Sequence, residues 1–164
     1  MIYYGDPMLR DKSSYVESVD DKITGICNEL IAGVLEYKAY GLAAPQIGYS
    51  LQIFAYTPDP KSIPPVCLIN PEIVEKKGEQ FQTERCLSFP GIIARVRRPL
   101  QIQFRARNMD WQERLGFVTG LEAQIICHEV DHLDGVLFVD HFDHFYKMIT
   151  KKKLSLLKKR INRQ

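Results

Sequence analysis

Residues 128 to 132 read His-Glu-Val-Asp-His, two imidazoles four positions apart with a carboxylate beside the first. On an α-helix this spacing puts His128 and His132 on one face, one turn apart, where both rings can converge on a single metal ion. Glu129 then stands beside the water that such an ion polarises, placed for general acid/base work. Two ordinary helix histidines are the bland reading of the same five residues. A metal site also needs a third protein ligand. Gly135 is followed by Val136, Leu137 and Phe138, so the downstream histidine of one metalloprotease class is missing, and no clear glutamate-bearing helix follows. Upstream, Cys86 lies in Glu84-Arg85-Cys86-Leu87-Ser88, between expected strands, where a thiolate can face the helix. A Cys-His-His set leaves one position open for water, as catalytic rather than structural sites do.

The elements that must position these residues follow from periodicity. The motif helix is expected from Gly120 to Leu133, with Gly135 standing where a helix terminates. Ile23, Ile26, Cys27, Leu30, Ile31 and Val34 recur at helical spacing, with Ser18 or Asp20 as N-cap and an end near Lys38. Gly41 to Gly48 is too rich in breakers for regular structure, and Leu51 to Tyr56 then alternates as a strand. Thr57 to Pro65 holds four prolines and reads as an exposed loop, with short strands at Val66–Ile69 and Ile73–Lys77 beyond it. Leu100, Ile102, Phe104 and Ala106, interleaved with Gln and Arg, give the clearest half-buried strand, turning at Asn108 to Asp110. Helix, strands, helix is the pattern of an α+β domain, with antiparallel sheets wrapped around the central motif helix.

A chain of 164 residues forms one domain with a sizeable core. No apolar run approaches a membrane span of roughly 20 residues. Met1 leads directly into Ile2, Tyr3 and Tyr4 without a signal-peptide pattern, so a cytoplasmic location is expected. Cys27, Cys67, Cys86 and Cys127 are scattered, unlike a disulfide framework or zinc-finger spacing. Lys147 to the end carries eight Lys or Arg and no acid, leaving 14 bases against 20 acids in residues 1–146. The reading is a catalytic domain over 1–146 and a basic C-terminal helix over 147–164 packed on it, with Met148, Ile149, Leu154, Leu157 and Ile161 as its apolar stripe.

Three segments carry a family resemblance: Ala39-Tyr40-Gly41-Leu42-Ala43-Ala44-Pro45-Gln46, then Glu84-Arg85-Cys86-Leu87-Ser88, then Cys127-His128-Glu129-Val130-Asp131-His132-Leu133. In this order they resemble the peptide deformylase motifs G-x-G-Φ-A-A-x-Q, E-G-C-x-S and Q-H-E-x-D-H-L. The likeness extends to Tyr4–Arg10, Leu68–Pro71, Phe89–Gly91 and Asp134–Phe138, nearly the whole chain. The resemblance implies removal of the formyl group from formyl-methionyl peptides of new proteins, releasing formate. It implies one divalent metal held by Cys86, His128 and His132, with Fe2+ favoured and Zn2+, Ni2+ or Co2+ able to replace it. Such an ion acidifies water from a pKa of about 16 toward 7. Glu129 would move the proton, and the Gln46 amide with the Leu87 backbone N–H would meet the developing oxyanion. Glu84 and Asp131 would be supporting carboxylates, Glu84 tethered by Arg98 or another nearby base, with surface solvation the plain alternative for Asp131.

Three positions depart from the family pattern: Ala39 for the first glycine, Arg85 for the glycine of E-G-C, and Cys127 for the glutamine before His128. None removes a ligand, the base or an oxyanion donor. The resemblance places Tyr40, Gly41, Gln82, Arg85, Leu121 and Gln124 along the substrate, where Tyr40, Gln82 and Gln124 make the methionine pocket smaller or more polar. The alternative reading is a deformylase-like metal-binding protein of altered specificity or little activity. No DNA-binding motif accompanies the basic tail, and a salt-sensitive contact of residues 147–163 with the ribosome is the partner expected beyond the substrate.

Overall fold

The computed structural model describes residues 1–161; Arg163, one of the tail's basic residues, lies outside them. The first helix, α1 (Asp21–Tyr37), starts where the Asp20 carboxylate accepts the Ile23 N–H at 2.8 Å. It ends on Lys38, which takes the left-handed conformation (φ 50°) that a glycine would adopt more readily.

A five-stranded antiparallel sheet follows, in the order β1 (Gly41–Ala43), β2 (Ile53–Tyr56), β3 (Val66–Lys77), β6 (Gln101–Arg107), β7 (Glu113–Thr119). A separate hairpin, β4 (Gln80–Arg85) with β5 (Ile93–Arg98), forms a two-stranded sheet. The second helix, α2 (Gly120–Leu133), spans the expected motif helix, and a third, α3 (His144–Ile161), closes the described chain. The architecture is the expected α+β arrangement of antiparallel sheets around the motif helix.

Three apolar clusters explain the layers. Ile53, Ala55, Cys67 and Ile69 pack with the buried face of α1, whereas Phe54, Tyr56 and Leu68, on the opposite side of the same strands, pack with Ala123, Ile126 and Cys127 of α2. The sheet is thus covered on both sides, which is why all four residues of β2 are buried. A third cluster joins Cys86, Phe89, Ala94 and Val96 of the hairpin region to Leu137, Phe138 and Phe142, with Tyr146, Leu154 and Leu157 of α3 against it.

Four expectations change. Gly41 to Gly48 is not irregular: it holds β1 and a 3-10 turn (Ala44–Ile47), because β1 needs only three residues to pair with β2. The two short strands at 66–69 and 73–77 are one strand, β3, carried past Pro71 by irregular pairing and Asn70 at φ 51°. The C-terminal helix starts at His144, not Lys147. Its inner face is Tyr146, Thr150, Leu154 and Leu157, while Met148 and Ile149 point outward at 62% and 52% exposure. The first ten residues form a strap: Ile2 N–H donates to the Gln46 carbonyl, Tyr4 N–H to the Ser88 carbonyl, and Arg10 pairs with Asp140. Gly135, at φ 72°, lets the chain turn beneath this strap, since a Cβ there would lie 2.3 Å from the Arg10 carbonyl oxygen.

Candidate metal centre

Helix α2 is buried on nearly every side, with His128, Glu129 and His132 among its buried residues. Polar groups on a helix so enclosed cost free energy unless they are partnered. Cys86, just after β4, brings its sulfur to the same face: the ligand atoms of Cys86, His128 and His132 all lie within 4.8 Å of one another. The Cys86 Sγ is 3.2 Å from His132 Nε2.

Behind the ligands lies a charged network. The Arg98 guanidinium donates from Nε and Nη2 to the two Glu84 oxygens at 2.6 and 3.0 Å, and from Nη1 to Asp131 at 2.5 Å. Glu84 in turn holds His128 Nδ1 at 2.8 Å, so that Nε2 would be the atom offered to a metal. His141 contacts Asp131 from the far side at 2.8 Å. Burial pushes the Glu84 carboxyl up, but its bonds to His128 and Arg98 outweigh this and bring it to about 2. For Asp131 also, burial raises the carboxyl while His141 and Arg98 hold it below the usual range. Asp131 is therefore bound into the network rather than a solvated surface group, and Arg98 tethers Glu84 as expected.

Burial drives His132 down to about 3, so it presents a neutral imidazole. Burial also lowers His128, yet its bonds to Cys86 and Glu84 prevail and raise it well above its ordinary value. Positive charge is thus favoured between Cys86 and Glu84, where a bound metal cation would supply it. One cysteine sulfur and two imidazoles, that of His128 oriented by Glu84, fit a borderline divalent ion.

Glu129 is buried with one carboxylate oxygen, Oε2, lacking a protein partner. Burial raises it to about 7, where a carboxyl both takes and gives a proton at neutral pH. The backbone of Gly41 lies against it: a Cβ there would come within 2.3 Å of Oε1. Gln46 is fixed by its carbonyl oxygen, which accepts the Ala43 N–H at 2.8 Å. Its Nε2 then points inward, 3.1 Å from Ser88 Oγ and 3.5 Å from Cys86 Sγ. The one amide thus bonds the local backbone through its oxygen and faces the site through its nitrogen.

The substrate-side residues are less closely gathered. Gln124 is buried on α2 and reaches the Thr83 carbonyl at 3.4 Å, bringing it beside Gln82 on β4, with its own Oε1 unpartnered. Gln82 donates to Gln80 at 3.0 Å. Tyr40 and Leu121 are 48% and 43% exposed, and Arg85 is exposed. Arg85 is not among the residues with positive φ, so it sits in β4 without backbone strain. Leu87, half-buried, follows Cys86 directly. Sequence reasoning gave no role to Ser88, which is fully buried and holds both the Gln46 amide and the Tyr4 N–H; its place two residues after Cys86 was the available signal.

A buried thiolate and two imidazoles, with an ionisable carboxyl beside them in an α+β domain, define a mononuclear metallohydrolase site. The family model of polypeptide deformylase matches residues 1–148. The chain belongs to the polypeptide deformylase family. It is 40% identical to a peptide deformylase of Dictyoglomus thermophilum over 136 residues, 83% of this chain and 87% of that one. It is 34% identical to that of Cytophaga hutchinsonii over 165 residues, covering 97% and 90%. The solved peptide deformylase 1B of Arabidopsis thaliana, in complex with an inhibitor, superposes with a TM-score of 0.94 at 30% identity, covering 99% of this chain and 91% of that one. The peptide deformylase of Plasmodium falciparum gives the same TM-score and identity, covering 99% and 97%. No helix among the described residues is long and apolar enough to cross a membrane.

Proposed function

We propose that this deformylase acts on N-formylmethionyl peptides of nascent proteins in the cytoplasm, releasing formate, with Fe2+ as the favoured ion. The observation that carries the reading is the Cys86, His128 and His132 cluster with Glu129 buried at its side. When bound, the metal acts as a Lewis acid toward water and the formyl oxygen. Glu129 takes a proton and returns it to the leaving amine, a role its position near neutrality supports. The Gln46 Nε2, aimed inward by the Ala43 N–H, and the Leu87 backbone N–H stabilise the oxyanion.

Strands β1 and β4 each pair on one edge only, β1 with β2 and β4 with β5, and both open edges border the metal centre through Gly41 and Cys86. An extended peptide adds between them as a strand. Its first side chain enters toward Gln82, Gln124, Tyr40 and Leu121, a pocket whose unpartnered Gln124 amide oxygen makes it more polar than a methionine requires. The test is formate release from formyl-Met peptides by protein loaded anaerobically with Fe(II), compared with Ni(II), Co(II) and Zn(II). Stoichiometric metal without formate would support the low-turnover reading instead.

The α3 surface supports a contact with ribosomal RNA. Lys147, Lys151, Lys152, Lys158 and Lys159 are exposed beside the outward Met148 and Ile149. Co-sedimentation with ribosomes should weaken at high salt and on charge reversal at Lys151, Lys152 and Lys153; indifference to both would leave α3 a packing helix.

A further inference from the structure

The outer face of the β4–β5 hairpin carries an uncommon set of side chains. Along β4, Phe81, Thr83 and Arg85 are exposed while Glu84 turns inward. Across from them the register sets Arg97, Arg95 and Ile93, all exposed, against the buried Ala94, Val96 and Arg98. The Arg95 guanidinium lies over the Phe81 ring, 5.4 Å from its centroid, which steadies it along the strand. Arg97 is paired with Glu79 at 3.3 Å. Arg85 and Arg95 have no acidic partner among the described residues, and Arg85 directly precedes the ligand Cys86. Two cations are thus held, uncompensated, on the solvent face of the strand whose open edge borders the metal centre.

We infer that Arg85 and Arg95 select formyl peptides with an acidic second residue. The inference rests on the reading that an extended formyl peptide lies along β4. Side chains of an added strand alternate between faces, as the strand's own do. If the first side chain enters toward Gln82 and Gln124 on the inner face, the second emerges on the outer face that bears Arg85 and Arg95. An Asp or Glu there meets a planar guanidinium suited to two-pronged carboxylate binding, and a Lys meets two like charges.

Formyl-Met-Asp, formyl-Met-Ala and formyl-Met-Lys tripeptides test this. Binding is measured on the Glu129→Gln protein and turnover on the wild type. At low salt the Asp peptide should bind about fivefold more tightly than the Ala peptide, the upper end for one exposed ion pair. The Lys peptide should fall below both, and the differences should shrink as salt rises. The effect belongs in KM rather than kcat. Arg85→Glu and Arg95→Glu should each flatten the order, the double charge reversal should invert it, and Arg85→Gly should weaken it even where it speeds every peptide alike. Equal binding of the three peptides, or an order unchanged in both charge-reversal variants, overturns the inference. The same holds if those variants alter only salt-sensitive retention of RNA. Turnover without charge preference removes the selector and keeps the deformylase reading; charge preference without turnover does the reverse.

Discussion

Helices α2 and α3 are of similar length, and each carries apolar residues on more than one side, yet they meet opposite fates. Helix α2 is enclosed by the five-stranded sheet on one side and by the β4–β5 hairpin on the other, so its polar side chains are cut off from water: His128 is held by Glu84, whereas Gln124, Glu129 and His132 each keep one buried atom without a protein partner. Helix α3 has one packed face, Tyr146, Thr150, Leu154 and Leu157, and leaves Phe145, Met148, Ile149 and Leu156 more than half exposed. The contrast teaches that an apolar stripe names a face that can be buried, and only a partner from elsewhere in the chain decides whether it is.

The widest separation between the two helices should appear in catalysis. Glu129→Ala should keep its metal and lose at least about 10²-fold in formate release, the range a general acid/base supplies. Cys86→Ala, His128→Ala and His132→Ala should lose most of the metal by elemental analysis. Turnover within a few-fold of wild type in Glu129→Ala would remove the carboxylate from the reaction. No single substitution on the outer face of α3 should change formate release from a short peptide.

Next comes stability. Arg98→Met strips the shared cation from Glu84 and Asp131, leaving buried carboxylates uncompensated, and should cost about 3–5 kcal/mol in denaturant unfolding. On α3, Leu157→Ala should cost about 1–2 kcal/mol and Ile149→Ser within about 0.5 kcal/mol of nothing. Equal costs at Leu157 and Ile149 would show that the outer stripe is covered in solution.

The smallest effect is a pH dependence. Burial raises the Asp140 carboxyl, but its bonds to Arg10 and the Leu137 N–H prevail and hold it below the usual range. A carboxyl depressed on folding stabilises above its unfolded pKa of about 3.9, and this is lost as the pH falls through the lower folded value. Arg10→Met should therefore flatten the acid limb of the stability curve below about pH 4 and leave neutral stability little changed, both partners being well exposed.

The legibility of the sequence divides along the same lines. The histidine pair, Glu129 and the ends of α2 were readable because spacing on a helix is a local property, and Cys86 because it sat between strands facing that helix. Asp131 was named as a supporting carboxylate only through the family resemblance, since its partners Arg98 and His141 come from β5 and a later turn and its own neighbours carry no sign of them. The inner face of α3 was read only in part, Leu154 and Leu157 packing inward as expected and Met148 and Ile149 not, for a related reason. Residues 145, 148, 149 and 156 make as good a stripe as residues 146, 150, 154 and 157, and the hairpin that chooses between them lies some 50 positions upstream. Strand β1 was hidden by its brevity, its pairing resting on β2 alone.

The strap over the first ten residues bears on the order in which the molecule is made. Its anchors lie at Gln46, Ser88, Gly135 and Asp140, and the bond from Arg10 to Gly135 spans 125 positions. Contacts so distant in sequence form last, since the intervening loop must close first. A ribosome that has delivered residues 1–132 has supplied every metal ligand but neither Gly135 nor Asp140, so the growing chain carries a complete ligand set before its opening segment can be pinned at both ends.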